Sequence, residues 1–213
     1  MTRGVIIIGA GGHAKVCIEL LRASGYSVSY CIGASGSDET CLGVPLLHGD
    51  EHLARLRSDG YEEAFVAIGS NGLRQRLAAL ATGLGFRLVN AISPRAVISP
   101  TAKMGQGVAV MAGAVINADS VIGDLAIINT LASIDHDGHI GEAAHVAPHA
   151  GLAGNVTLGA RTFLGVGCKV IPEVVIGSDV VAGAGSVIIR NIESNSRIAG
   201  VPAKALPKRD MIR

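Results

Sequence analysis

From Ile92 to Ile188 the chain places an aliphatic residue at every sixth position without a break, through Ile98, Met104, Val110 and Ile116 and on to Ile176 and Ala182. Four residues after each stands a mostly small one: Ala96, Ala102, Val108 and Ala114 near the start, Cys168, Val174, Val180 and Ser186 near the end. A period of six matches neither an amphipathic helix nor the alternation of a half-buried strand. It is the period of a hexapeptide β-helix, a triangular solenoid in which each hexapeptide makes one flat side. The large aliphatic residue fills the interior, the small one sits where the corner turns inward, and three sides close a coil. Residues 92–187 hold sixteen hexapeptides, a little over five coils. At roughly 4.8 Å per layer the prism stands about 25 Å tall. A glycine-rich β-sandwich would have to reach the same seventeen matches by accident.

The pattern changes near residue 90, which predicts an α/β domain over 1–90, the solenoid over 91–190 and a C-terminal cap over 191–213. The hydrophobic fraction of 49% is spread at intervals of six and in short strands, with no apolar run near the length of a membrane helix. Only Arg3 precedes the short Val5–Ile8 run, which is not the pattern of a signal peptide, so a cytoplasmic protein is expected. Cys17, Cys31, Cys41 and Cys168 fall at irregular separations with no C-x-x-C pair, against a zinc ribbon or a disulfide framework. A net charge of +1 and an aromatic content of 3% give no nucleic-acid surface. Both ends of a solenoid expose unpaired strand edges, and the N-terminal domain and the segment from Asn191 are the natural covers.

In the first 90 residues, strands at 4–8, 28–32, 64–68 and near Leu88 alternate with helices at 14–24, 50–57 and 72–81, the signature of a small Rossmann-like parallel sheet. Gly9-x-Gly11-x-x-Ala14 fits the dinucleotide fingerprint, in which backbone N–H groups at a helix start hold a diphosphate. The same spacing also occurs as a plain strand-to-helix turn. The acidic residue expected at the end of the second strand is replaced by Ala34-Ser35, and Asp38 lies too far along, which argues against a nicotinamide cofactor. His13 and Lys15 are candidates for a phosphate or sugar contact, and equally for solvated positions.

Between residues 129 and 149 come Asn129, Asp135, His136, Asp137, His139, His145 and His149, with four of the seven histidines of the chain. A histidine beside a carboxylate is suited to remove a proton near neutrality. Three readings stand for the cluster: His136 as general base, zinc held across a subunit interface, and solvated corners without a role. Which aspartate orients His136 is open from spacing alone.

The order of Gly9-Ala10-Gly11-Gly12-His13-Ala14-Lys15, Ile128-Asn129-Thr130, Ile134-Asp135-His136-Asp137, His145 and Gly200-Val201-Pro202-Ala203-Lys204 resembles the sialic acid O-acetyltransferase-like sugar acetyltransferases, members of the left-handed β-helix acyltransferase superfamily. The likeness spans nearly the whole chain and points to the PglD-like and perosamine-type N-acetyltransferases of nucleotide-linked 4-amino-4,6-dideoxy sugars. The resemblance implies a left-handed parallel β-helix and a homotrimer with active sites at subunit interfaces. It implies acetyl-CoA as co-substrate and no metal. It assigns His136 as general base assisted by Asp137, Asn129 to the active site, and His145, Gly154, Val166 and Ala184 to the acetyl-CoA groove. Gly9, Gly11, Gly12 and His13 would meet the diphosphate and sugar, with Ser35 and Asn71 as further substrate positions. UDP-sugar members usually carry an acidic pair where this chain has Ala34-Ser35, which favours a purine and a GDP-perosamine-type substrate, with a UDP- or dTDP-linked sugar as the alternative. Asn71 either contacts ligand or caps its helix.

The leading expectation is therefore N-acetyl transfer to a nucleotide-linked amino sugar for surface polysaccharide or glycan synthesis. Sugar O-acetylation is the alternative, a γ-carbonic-anhydrase-like zinc enzyme the competitor from another class, and a non-catalytic solenoid the last. Cys168 falls at a small inward-facing position and reads as core.

Overall fold

The computed structural model describes residues 3–34, 36 and 38–207; Ser35 lies outside them. The N-terminal part holds strands β1 (Val5–Ile8), β2 (Val28–Gly33), β3 (Thr40–Cys41), β4 (Val44–His48), β5 (Glu63–Val66) and β6 (Arg87–Leu88), with helices α1 (Gly12–Ala23), α2 (His52–Ser58) and α3 (Asn71–Gly83). Sheet order is β3-β4-β2-β1-β5-β6, and every pairing is parallel except β3 with β4. β1 is buried on both faces, as its unbroken Val-Ile-Ile-Ile run requires of a central parallel strand. α1 buries Ala14, Cys17, Ile18, Leu20 and Leu21 on one side.

The β3–β4 hairpin is absent from the sequence-based reading. Pro45 masks it, because proline inside an apolar run argues against a strand. Here Pro45 faces the edge strand, opposite Thr40, and the turn uses positive φ at Leu42 (50°) and Gly43 (72°), the backbone twist a two-residue hairpin needs. α1 also starts earlier than the glycines suggest, so that Gly12 and His13 belong to its first turn.

From Ala91 the chain winds as a left-handed β-helix of two-residue strands in three parallel sheets. The first face stacks Ala91–Ile92, Ala109–Val110, Ile127–Ile128, His145–Val146, Phe163–Leu164 and Val181–Ala182. The second runs from Val97–Ile98 to Val187–Ile188, and the third from Lys103–Met104 to Val175–Ile176. The second residue of each strand points inward and packs with the small corner residues, Cys168 included, in one continuous core. From Gly107 to Gly185 each corner contains a residue at positive φ, six apart: Gly107, Gly113, Asp119, Leu125, Leu131, Asp137, Ala143, His149, Asn155 and onward, all between 52° and 71°. Non-glycine residues seldom adopt this conformation. Here the backbone hydrogen bonds to the coil above and below hold it in place, as between His149 N and Thr130 O at 3.0 Å.

The open end at Ile92, Ile98 and Met104 is only partly buried. The N-terminal part does not close it as expected. It packs along the side of the prism instead, because the first face carries outward apolar residues there: Ala91, Ala109 and Ile127 join the α1 cluster. Leu125 and Ala143, at the corner before that face, join the α3 cluster. At the other end Ile198 and Ala203 enter the solenoid core, and Arg197–Ala199 extends the first face.

Arg74 of α3 fastens the two parts. It is 1% exposed, and its guanidinium donates to Leu125 O at 2.8 Å and Ala143 O at 2.7 Å in the solenoid. It also donates to Ile68 O, Gly69 O and Asn71 Oδ1 in its own domain. Burial lowers its pKa to about 10, which leaves it charged at neutral pH. Truncating a buried hydrogen-bonded charge leaves its partners desolvated and unpaired. Arg74→Ala should therefore lower unfolding free energy by about 3–5 kcal/mol, measured by denaturant titration. Arg74→Lys should recover little, since a single ammonium cannot span the same carbonyls. Unchanged stability in both variants would show that the junction does not depend on this side chain.

Candidate active site

Two features of the glycine loop point in different directions. Gly9 is required by the chain itself: its φ is 127°, and a Cβ there would lie 2.6 Å from Ala67 O. At Gly11 and Gly12 a Cβ would meet nothing within 4 Å. These two glycines leave open space over the start of α1, where helical N–H groups have no intrahelical partner. The space continues into a cavity of about 450 Å³ lined by Gly9, Gly11, Ile32, Ala34, Asp50 and Leu73, among others. It suits a diphosphate laid against backbone.

The four histidines between residues 136 and 149 do not form one cluster. The six-residue side sends His136 to the corner after the second face, His139 to the third face, His145 to the first face, and His149 to the corner after that face. Among the described residues no three His, Cys, Asp or Glu side chains come together as a metal site within one chain.

At the His136 corner the two aspartates divide the work. Asp135 Oδ1 accepts from the backbone N–H of His136 at 2.8 Å and from Asn117 Nδ2 at 2.9 Å. Asp137 Oδ2 accepts from His136 Nδ1 at 2.8 Å. A carboxylate can only accept, so Nδ1 carries the proton and Nε2 keeps its lone pair. Asp137 raises the pKa of the exposed imidazole, with Asp135 adding to the effect. Asp137 reaches the ring from a left-handed corner with φ of 56°. Gly154 stands one coil further on, and a Cβ there would fall 2.6 Å from both Cε1 and Nε2 of His136. The glycine is thus the space into which the basic edge of the ring fits. Asn117 was missed in the sequence, although it stands one coil before Asp135 and the repeat alone would have paired them.

Asn129, Val166 and Ala184 lie at the corner between the first and second faces, a different edge of the prism from His136 and Gly154. Val166 and Ala184 are exposed. Thr130 N donates to Asn129 Oδ1 at 2.8 Å, which turns Asn129 Nδ2 toward His145 Nε2 at 3.0 Å. His145 also packs edge-on against Phe163, with ring centroids 5.1 Å apart. Burial and then Arg74 lower the pKa of His145 to about 4, with the Gly69 backbone opposing; Nδ1 itself has no partner at hydrogen-bond distance. His13 is pushed down to about 4 by the same two causes, and its Nε2 lies 3.6 Å from Cys17 Sγ. Both imidazoles are neutral, so neither supplies positive charge to a phosphate.

Asn71 is the first residue of α3 and makes no capping bond of the expected kind, its N-cap being Ser70. Its amide joins the domains: Nδ2 donates to Arg161 O at 2.8 Å, and Oδ1 accepts from Arg74. Arg74 itself was missed, since nothing in its sequence neighbourhood separates it from a surface arginine.

The PglD N-terminal domain family matches residues 4–80. Over 97% of its length the chain is similar to PerB from Caulobacter crescentus in complex with CoA and GDP-perosamine, with 53% identity, 99% of that chain covered and a TM-score of 0.94. The C. crescentus perosamine N-acetyltransferase has also been solved with one histidine replaced by asparagine, in complex with the same two molecules, at 52% identity and a TM-score of 0.95, covering 98% of this chain and 99% of that one. The acetyltransferase domain of PglB from Neisseria gonorrhoeae in complex with acetyl coenzyme A is 37% identical over 97% of this chain and 100% of that one, with a TM-score of 0.90. The putative lipopolysaccharide biosynthesis O-acetyl transferase WbbJ of Escherichia coli is 47% identical over 53 residues, 25% of this chain and 27% of that protein, so the chain spans about a quarter of the length of that curated relative. With most of its residues aligned to proteins of known structure at more than a third identity, the chain belongs to the hexapeptide-repeat family of sugar N-acetyltransferases.

Proposed function

We propose that this protein transfers the acetyl group of acetyl-CoA to the 4-amino group of a GDP-linked 4-amino-4,6-dideoxyhexose of the perosamine type. The observation that carries the reading is the likeness along nearly the whole chain to a protein that binds CoA and GDP-perosamine, joined to a histidine whose tautomer is fixed by a carboxylate. His136 Nε2 takes the proton from the sugar amine as the amine attacks the thioester carbonyl, and the imidazolium that forms is stabilised by Asp137. No acyl-enzyme is needed; Cys168 is buried, with its thiol pKa raised by burial, and is no candidate nucleophile. Backbone N–H groups of the prism edge would stabilise the tetrahedral oxyanion, whose collapse breaks the C–S bond and expels the CoA thiolate, which takes up the proton from His136 Nε2.

The nucleotide diphosphate lies over Gly9, Gly11 and Gly12, with neutral His13 toward the sugar. CoA follows the edge that carries Val166 and Ala184. These two edges of one prism are brought together when a neighbouring copy lays one of its edges against the other, which supports a homotrimer with shared sites. Exposed apolar residues on and beside the second face, Val97 at 63% and Leu131 at 53%, suit such packing. No helix among the described residues is long and apolar enough to cross a membrane. We place the activity in the cytoplasm, upstream of surface glycan assembly.

The first test is incubation with acetyl-CoA and GDP-, UDP- and dTDP-linked 4-amino-4,6-dideoxyhexoses, followed by thiol release and product mass. One acetyl group gained on the GDP series is the expected result. Silence across the panel with CoA still bound would favour O-acetylation or another acceptor. His136→Asn should cut kcat by roughly 10²–10⁴ while leaving acetyl-CoA binding near wild type; near-normal turnover would remove His136 as base.

The pH dependence has a definite sign. The base must be neutral, so activity falls as pH drops through the raised pKa of His136. Asp137→Asn removes the main cause of that rise, and the acid limb of kcat/KM should move to lower pH. An unmoved limb would assign it to another group. Gly11→Val should raise KM for the nucleotide sugar by at least about tenfold, through loss of the backbone approach, with KM for acetyl-CoA unchanged. The reverse pattern would place the nucleotide elsewhere.

A further inference from the structure

His48, the last residue of β4, is held on both sides of its ring. Nδ1 lies 2.6 Å from Ala34 O and Nε2 lies 2.8 Å from Asp38 O. A Cβ on Gly36 would stand 3.5 Å from Cε1 of the same ring. Ala34, Gly36 and Asp38 therefore stand around one imidazole. Backbone carbonyls have no proton to give, so both ring nitrogens must donate, and only the imidazolium has two N–H groups. The neutral ring would turn a lone pair toward one of the carbonyl oxygens and lose that hydrogen bond.

This matters because Ala34 lines the glycine-loop cavity together with Ile32 and Gly49. Gly49 N donates to Gly33 O at 2.9 Å, so the strand ends that carry the clamp are tied to each other beside the cavity. We propose that His48 is a positioning residue for nucleotide binding: as an imidazolium it holds the Ala34 backbone in place at the cavity wall by tying it to Asp38, and it releases Ala34 on losing its proton. The inference rests on reading the cavity as the nucleotide site. The two carbonyl hydrogen bonds, and then the Asp38 charge, raise the pKa of His48 above the ordinary 6.5. Asp38 is the charged side chain that acts on the ring among the described residues, and β2 presents Gly33 in register with His48. With the folded value raised, the clamp is complete below the ordinary value and is lost as pH rises through the raised one. His13, at about 4, does not titrate in that range.

The test is calorimetric titration of the full chain with GDP-mannose, whose diphosphate diester and sugar carry no group that titrates in the range, from about pH 5.5 to about pH 8.5. Titration with CoA at each pH serves as control. For wild type the Kd for GDP-mannose should rise roughly tenfold across the range, the scale of one charge-assisted hydrogen bond, with CoA affinity flat. His48→Gln keeps one donor nitrogen, presents an acceptor oxygen in place of the other and cannot gain a charge, so its binding should be weak at every pH and show no slope. A flat wild-type profile, a His48→Gln profile that overlays the wild type, or no GDP-mannose binding while CoA still binds would each overturn the proposal. If the profile is as expected but no amino sugar is acetylated, the activity reading falls and the clamp stands.

Discussion

The left-handed turn at every sixth residue is the constraint on which the solenoid and its chemistry depend. From Gly107 to Gly185 the coils use it to change direction three times each while keeping an inward side chain on every face. The chain accepts Leu125, Leu131, Ala143 and His149 at these turns as readily as glycine, although each is locally unfavourable. Hydrogen bonds to the coils on either side offset that cost, as cooperative stacking allows. Asp137 is one of these corner residues, so the geometry that closes the prism also points a carboxylate at His136. Structure and chemistry share one backbone conformation there.

A second constraint is electrostatic. Arg74 sits between the domains as a buried charge compensated by carbonyl oxygens, with no carboxylate partner among the described residues. It lowers the pKa of His13 and His145, which burial has already lowered. His136 and His48 lie away from it, beside oxygen acceptors, and are shifted upward. The same side chain type is thus sorted into neutral hydrogen-bonding groups at the domain junction and basic ones at two rims. Burial and the sign of the nearest charge decide which, as expected for imidazoles with an ordinary pKa near neutrality.

Much of this was legible in the sequence, for a physical reason. A solenoid repeats its environment, so residue type at each position reports face, corner or interior directly; the inward series from Ile92 to Ile188 and the core position of Cys168 follow from the period alone. The N-terminal sheet was less legible, because Pro45 hides β4 and a hairpin pairs locally with no periodic signature. The site divides in the same way. His136 and its carboxylate neighbours are adjacent in the chain, but the roles of Asp135 and Asp137 depend on which way each corner turns. Arg74 and Asn71 join parts of the chain far apart in sequence, and no local pattern announces a contact of that kind.

The stacking of Gly154 over His136 has a consequence for how this prism can change length over evolutionary time. Position in the solenoid is read as a phase around the coil, and the edge that carries His136 is one value of that phase. A whole coil added between Leu125 and His136 would restore the phase but lift the histidine by about 4.8 Å relative to the N-terminal domain at Leu125. A partial coil would carry it to another edge altogether. Coils added beyond Gly154, toward the end covered by Ile198 and Ala203, leave this relation untouched. The rungs between residue 125 and residue 154 thus set both the phase and the height of the His136 edge relative to the N-terminal domain.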